Sequence, residues 1–169
     1  EDEEYSTELL RNGTVMAAVT SSSNTIQGCR TTKLGTMRYR PLATAAFIKK
    51  WFPQGPNPTS LALAPVIQFD KKDDLQNRYI KKYVRASKQP PSHYIPSTFD
   101  YANAVLQSMG WGYISDLQYE TLVKKHALIE FDPGANVKVT LYLQQWKLSS
   151  ISLNNAMTTI LEYAKGNLR

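Results

Sequence analysis

The carboxylate of Asp70 closes a short apolar run, Pro65-Val66-Ile67-Gln68-Phe69, and Asp73 and Asp74 follow three residues later. A helical pattern comes next, with Leu75, Tyr79, Ile80 and Tyr83 at its apolar positions. A buried strand that ends in a carboxylate and leads into a helix builds a binding crevice, because ligands of open α/β sheets sit outside the carboxyl ends of the strands. The same carboxylates would serve equally as the acidic start of a helix, where the dipole favours them. Hydroxyls form the second group. Thr20-Ser21-Ser22-Ser23 follows another apolar run, and Ser97 and Thr98 open a helix whose unpaired N–H groups attract anions. If they face each other, these hydroxyls would hold a carboxylate. Asp70, Asp73 and the acidic Glu1-Asp2-Glu3-Glu4 would hold a cation. Together the groups suit a small zwitterion with an extra positive charge, although each taken singly is also an ordinary cap.

Catalytic patterns are weak. The chain has no G-x-S-x-G, no P-loop and no G-x-G-x-x-G. His93 and His126 share no ligand spacing, and the single cysteine, Cys29, cannot complete a zinc set. His126 falls at an expected helix C-terminus, where partial positive charge is favoured. Arg30 beside Cys29 would lower the thiol pKa, but no base accompanies it. These residues predict a protein that is not an enzyme and needs no metal or cofactor.

Composition narrows the classes further. The 169 residues are 42% hydrophobic and 20% charged, which is globular and enough for a sizeable core. One cysteine rules out a disulfide framework within the chain and fits a reducing compartment. No apolar run approaches the ~18 residues of a membrane span, and the acidic start is no signal peptide. The net charge of +6 is spread in pairs such as Lys49-Lys50, Lys71-Lys72, Lys81-Lys82 and Lys124-Lys125. That is a solvated surface rather than a nucleic-acid stripe.

The elements that must position these groups can be read in order. Glu4–Asn12 reads as the end of an amphipathic helix stopped by Gly13, and Thr14–Val19 as a buried strand. Arg30–Leu34 and Tyr39–Thr44 read as extended pieces with Gly35 between them. Ala45–Phe52 reads as a helix ended by Pro53, and Thr59 as the cap of a short helix through Ala62. Lys88–Pro96 reads as irregular, or an edge strand at best, because of its prolines. Ser97–Met109 is a helix with Ala102, Val105, Leu106 and Met109 on its stripe, and Ser97 and Asp100 as a capping box. Trp111–Ile114 is a strand, and Ser115 or Asp116 caps a helix to His126. Leu128–Phe131 and Val137–Leu143 are strands around the turn Asp132-Pro133-Gly134. Ser149 or Ser150 starts a last helix to Lys165, with Ile151, Met157, Ile160, Leu161 and Ala164 on its apolar face. Strands alternating with helices predict an α/β fold with a largely parallel sheet. The chain opens inside a helix with no strand before it, which reads as a fragment of a longer protein.

The pieces ELLRNGTVMAAVT, GCRTTKLGTMRY, APVIQFDKKDDLQ, STFDYANAVLQSMGWGYISD and LYLQQWKLSS carry a resemblance. Together they make nearly the whole chain similar to the effector-binding domain of LysR-type transcriptional regulators, within the subgroup that controls lysine and arginine export. FDKKDDLQ and EDEE are the subgroup-specific pieces. The resemblance implies an α/β, two-lobed, periplasmic-binding-protein-like (type 2) fold, with crossovers near Met37–Arg40 and Leu141–Trp146 and the effector in the cleft. It implies a first lobe from residues 1–37 and 143–169, lacking its first strands and helix, and a second lobe from 38–142. By position it implies Thr20, Ser21, Asp70, Ser97, Thr98 and Gln144 as effector-binding residues. The implied function is effector sensing and oligomerisation in a cytoplasmic regulator that responds to lysine or arginine. Its partners would be a basic amino acid, a second copy or three more in a homodimer or homotetramer, and DNA only through an N-terminal helix-turn-helix absent from this chain. No membrane is implied. A transporter's solute-binding protein is the alternative on the same fold. An enzyme using Cys29 on that fold would need a reactive thiol.

Overall fold

The computed structural model describes residues 3–83, 89–123, 127–148 and 150–169. Glu1, Asp2, Lys88, Lys124, Lys125, His126 and Ser149, named above, lie outside the described residues. The chain divides into two compact units, Glu1–Met37 with Lys138–Arg169, and Arg38–Val137.

The discontinuous unit begins with α1 (Glu3–Arg11). Gly13, at φ +76°, ends it in the left-handed conformation that glycine adopts without penalty. The Val15 amide then donates to the Leu9 carbonyl, and the Thr14 amide to the Asn12 side chain. These caps occupy the start of the apolar run, so β1 covers Ala17–Thr20 rather than starting at Thr14. It pairs antiparallel with the end of β7 (Val137–Trp146), from Ala17 with Gln145 to Thr20 with Tyr142. Leu10, Ile26 and Cys29 are buried together, with Val15, Ala18 and Trp146 packed around them. The last helix, α7 (Ile151–Asn167), is capped by Ser150, whose hydroxyl accepts from the Leu153 amide. Met157 and Ala164 are buried, but Ile151 is 82% exposed, contrary to its place on the expected face. The helical period explains this: Leu153, not Ile151, shares the side of Met157, Ile160, Leu161 and Ala164.

The contiguous unit takes the end of β2 (Cys29–Ala43), a strand that starts in the other unit. β2 runs unbroken through Gly35, where two separate extended pieces were expected. It pairs antiparallel with β5 (Gly112–Ser115) from Tyr39–Ser115 to Leu42–Gly112, and with β6 (Ile129–Glu130) at Leu42 and Ala43. β3 (Val66–Gln68) and β4 (Ser92–Tyr94) pair in parallel across α4 (Leu75–Tyr83). In place of the expected largely parallel sheet, parallel register is found between β3 and β4 and at the Val66–Trp111 bridge, and β2 pairs antiparallel with β5 and β6. A helical crossover favours parallel pairing only where the strands it joins become neighbours; β5 and β6, joined by the helix Asp116–Val123, each pair antiparallel with β2 instead of with each other. β4 is an edge strand, the alternative its prolines left open, and Pro91 offers its carbonyl to the Val66 amide.

The remaining helices follow their caps. Thr44 caps α2 (Ala45–Trp51) through its side chain. Asn57, not Thr59, caps α3 (Pro58–Leu63) in a capping box with Ser60, because Pro58 fits the first helical position. Ser97 caps α5 (Thr98–Leu106), which stops before Met109 as Ser108 turns to φ 59° and leaves Met109 exposed. Asp116 starts α6 (Asp116–Val123), and Asp132 caps a 3-10 turn at Pro133–Ala135. Two apolar clusters fill the unit. One centres on Phe47, Phe52, Tyr79, Trp111 and Tyr113, the other on Leu42, Ile67, Val105, Ile114 and Leu128. Each such side chain contributes roughly 1.5–3 kcal/mol when fully buried.

Candidate functional site

In the contiguous unit the candidate groups gather beyond the carboxyl ends of β3 and β4. The Ile95 amide donates to the Gln68 carbonyl at 2.9 Å, which extends the ladder and aligns the two strand ends. Asp70 lies just past β3, and its Oδ1 accepts from the amides of Lys72 (2.8 Å) and Asp73 (2.9 Å). Asp73 spends both oxygens on backbone, Oδ2 on the Phe69 amide and Oδ1 on the Leu75 amide at the start of α4. Among the described residues, Asp70 has no cationic partner. Asp74 pairs with Arg78, Asp116 with Arg38 and Arg40, and Glu130 with Arg40. Ser97 and Thr98 begin α5 just past β4; the Ser97 hydroxyl accepts from the Asp100 amide, and the Thr98 carbonyl accepts from Gln118 Nε2.

A buried polar network holds this edge from below. The Tyr101 hydroxyl donates to the Ile67 carbonyl and accepts from Gln76 Nε2 and the Tyr113 amide. Gln76 also donates to the Ile67 carbonyl, and Gln68 donates to Asn77 Oδ1. Burial, with the nearby Asp73 charge adding to it, raises the pKa of both Tyr39 and Tyr101, so both stay neutral. Sequence patterning missed Gln68, Gln76 and Tyr101, because periodicity marks apolar faces and is silent about buried amides. The Tyr101-to-Val105 spacing of four was the one available signal.

Where β2 enters this unit, Arg38 and Arg40 both reach Asp116, at 2.8 and 2.6 Å, and Arg40 reaches Glu130 at 2.7 Å. Arg38 and Arg40 lie on one face of β2 because strand side chains alternate. Burial alone would raise the Asp116 pKa, but hydrogen bonds and charge from Arg40 and Arg38 outweigh it and hold the carboxyl below its ordinary value.

In the other unit, Thr20, Ser21 and Gln144 come together around the loop after β1. Thr20 is buried at the end of β1, and its hydroxyl accepts from the Ser22 amide. Ser21 is exposed in the loop that follows. Gln144 is 1% exposed on β7. Its Nε2 donates to the carbonyls of Ser22 (3.2 Å) and Asn24 (2.9 Å), and its Oε1 accepts from the Ile26 amide (3.4 Å). A groove of about 630 Å³ next to this loop is lined by Arg11, Thr25, Ile26, Gln27, Gly28 and Trp146. Cys29 is buried, and burial pushes its thiol pKa up against a smaller opposing pull from Lys147, the reverse of the expected effect of Arg30. Among the described residues no cluster of His, Cys, Asp and Glu could hold a metal ion. No helix among them is long and apolar enough to cross a membrane.

No family model matches the chain. It is 31% identical over all 169 residues to the HTH-type transcriptional regulator LysG of Mycobacterium tuberculosis, of which it covers 55%. The chain thus spans about half the length of the curated relatives it matches. Among solved structures, the C-terminal domains of a LysR family protein from Agrobacterium tumefaciens superpose with a TM-score of 0.90 at 33% identity, covering 99% of this chain and 81% of that one. Full-length LysG from Corynebacterium glutamicum with bound effector Arg superposes with a TM-score of 0.89 at 30% identity, covering 100% of this chain and 58% of that one. These relatives belong to transcriptional regulation, and none of them favours a transporter's solute-binding protein.

Proposed function

The chain belongs to the LysR family of transcriptional regulators, and from that premise we propose that it is the effector-sensing part of a regulator responding to lysine or arginine. Its α/β fold is the two-lobed, periplasmic-binding-protein-like fold of that family's effector domains. The observation that carries the proposal is its likeness along its whole length to the arginine-bound LysG of Corynebacterium glutamicum. Asp70 supports it from within the chain: a carboxylate at a strand's carboxyl end with no cationic partner among the described residues suits an ammonium or guanidinium group. On this reading Asp70 takes the cationic end of the effector. The candidates for its carboxylate are the hydroxyls of Thr20 and Ser21 in the discontinuous unit and the helix start at Ser97 and Thr98 in the contiguous one.

An effector shifts a regulator only through its different affinities for the regulator's states. A coupling of roughly 1–3 kcal/mol gives a response of about five- to hundredfold. The complete protein would act in the cytoplasm as a homodimer or homotetramer. Its helix-turn-helix would contact the DNA that controls an amino-acid exporter gene.

Calorimetry on the complete protein with L-lysine, L-arginine and L-leucine tests the reading. Saturable heat with a basic amino acid and none with leucine is expected. Equal heats for all three, or none, would overturn it.

A further inference from the structure

We infer that Gln144 is a positioning residue of the effector site rather than a group that touches the effector. The inference rests on the effector reading above. Gln144 pairs with Ala18 in the β1–β7 ladder, and its side chain is buried. Its amide meets three alternating backbone groups of one loop, the carbonyls of Ser22 and Asn24 and the amide of Ile26. That arrangement substitutes for a neighbouring strand, since residues 22, 24 and 26 present the groups a ladder would satisfy. Both amide protons are spent on the loop, and the carbonyl that accepts from Ile26 is buried with them at 1% exposure, so this side chain has no donor left for a ligand.

Elsewhere along the loop the Thr25 hydroxyl pairs with that of Thr31 at 2.8 Å. The Ser22 amide donates to the Thr20 hydroxyl and the Asn24 amide to the Ser22 hydroxyl, which are local two-residue turns. Two residues further along β7, on the same side of the strand, Trp146 secures the far end of the loop. Its ring lies where a side chain on Gly28 would stand, its indole N–H donates to the Leu10 carbonyl, and the Lys147 amide donates to the Gly28 carbonyl. Gln144 therefore sets the middle of the loop and Trp146 its end. Thr20 and Ser21 stand at its start, so their geometry depends on the donors of Gln144.

Gln144→Glu tests this in the complete protein by calorimetry with L-arginine and L-lysine at pH 7.5 and pH 5. The ionised glutamate keeps an acceptor for Ile26 but turns negative charge on the carbonyls of Ser22 and Asn24. Protonation restores one donor. The expected result is affinity weakened about tenfold or more at pH 7.5, a loss of the size of one hydrogen bond, and partly recovered at pH 5, with little change in the unaltered protein. Hydrogen exchange over residues 20–28 should quicken in the variant at pH 7.5 and not elsewhere in the chain. Gln144→Met, which has no donor to restore, should show the weakening without the recovery. Unaltered affinity in Gln144→Glu at pH 7.5, or equal weakening at both pH values, overturns the positioning role alone. Failure of the unaltered protein to bind either amino acid overturns the effector reading itself.

Discussion

The Tyr101 hydroxyl occupies the space that a side chain on Gly112 would need. Gly112 stands in β5 opposite Leu42, and the same hydroxyl accepts from the amide of Tyr113 next to it. Gly112→Ala must push the ring away and break a fully satisfied buried centre. A loss of about 1–3 kcal/mol in urea unfolding is expected. In a Tyr101→Phe background the same change should cost less, with a coupling above ~0.5 kcal/mol. Strict additivity would show that the two residues do not share that space.

Gly28 and Gly55 separate backbone strain from packing. Both have φ of +82°, but a Cβ at Gly28 would lie 2.7 Å from the Trp146 ring, whereas one at Gly55 would meet nothing within 4 Å. Gly55→Ala should cost ~1–2 kcal/mol from the left-handed backbone alone. Gly28→Ala should cost that and about 1–3 kcal/mol more for displacing the ring, with a change in tryptophan fluorescence. Equal melting losses would sink the assignment.

Asp116 gives the contiguous unit a dependence on acid. Its folded pKa lies below the unfolded value of ~3.9, because Arg40 and Arg38 outweigh its burial. A depressed carboxyl stabilises fully above the unfolded pKa and loses that contribution as pH falls through the folded one. Asp116→Asn should therefore lose about 1–3 kcal/mol at pH 7, and its deficit should shrink below pH 4. A deficit constant from pH 7 to pH 2.5 would assign the loss to packing instead.

Cys29 should be inert. It is buried among Leu10 and Ile26, and its raised pKa leaves less thiolate at neutral pH than a free cysteine has. Alkylation at pH 7.5 should run at least ~100-fold slower than for a free thiol and recover in denaturant, since only opening exposes it. Fast labelling of the folded chain would revive the idea of a nucleophile there.

The α/β character, the family and most elements were legible in the sequence, because strong periodicity and cap residues such as Ser97 and Ser150 act locally. Pairing was not. The direction of β2 against β5 depends on which strands become neighbours, and alternation along the chain says nothing about strands that no crossover joins. Helix starts shifted where two cap candidates competed, as Asn57 did with Thr59 around Pro58. Around the candidate site, Asp70 was marked by closing an apolar run, and Ser97 and Thr98 by opening a helix. The buried amides and hydroxyl beneath them, Gln68, Gln76 and Tyr101, have no period to reveal them. The bonding of Gln144 to a loop some 120 residues earlier in the chain is a tertiary fact that no window contains.

The split of the chain also sets an order in which it can fold. Arg38–Val137 is one continuous stretch, and the pairings of β2 with β5 and β6 and of β3 with β4 lie within it. The other unit must bring Ala17 to Gln145 across that whole stretch. An unstructured loop of that size carries a heavy closure entropy, and a prefolded insert shortens it to the distance between its own ends. On a ribosome that stretch is therefore complete while β1 still waits for its partner. During that interval β1 lacks its β7 partner and is open to joining the wrong strand.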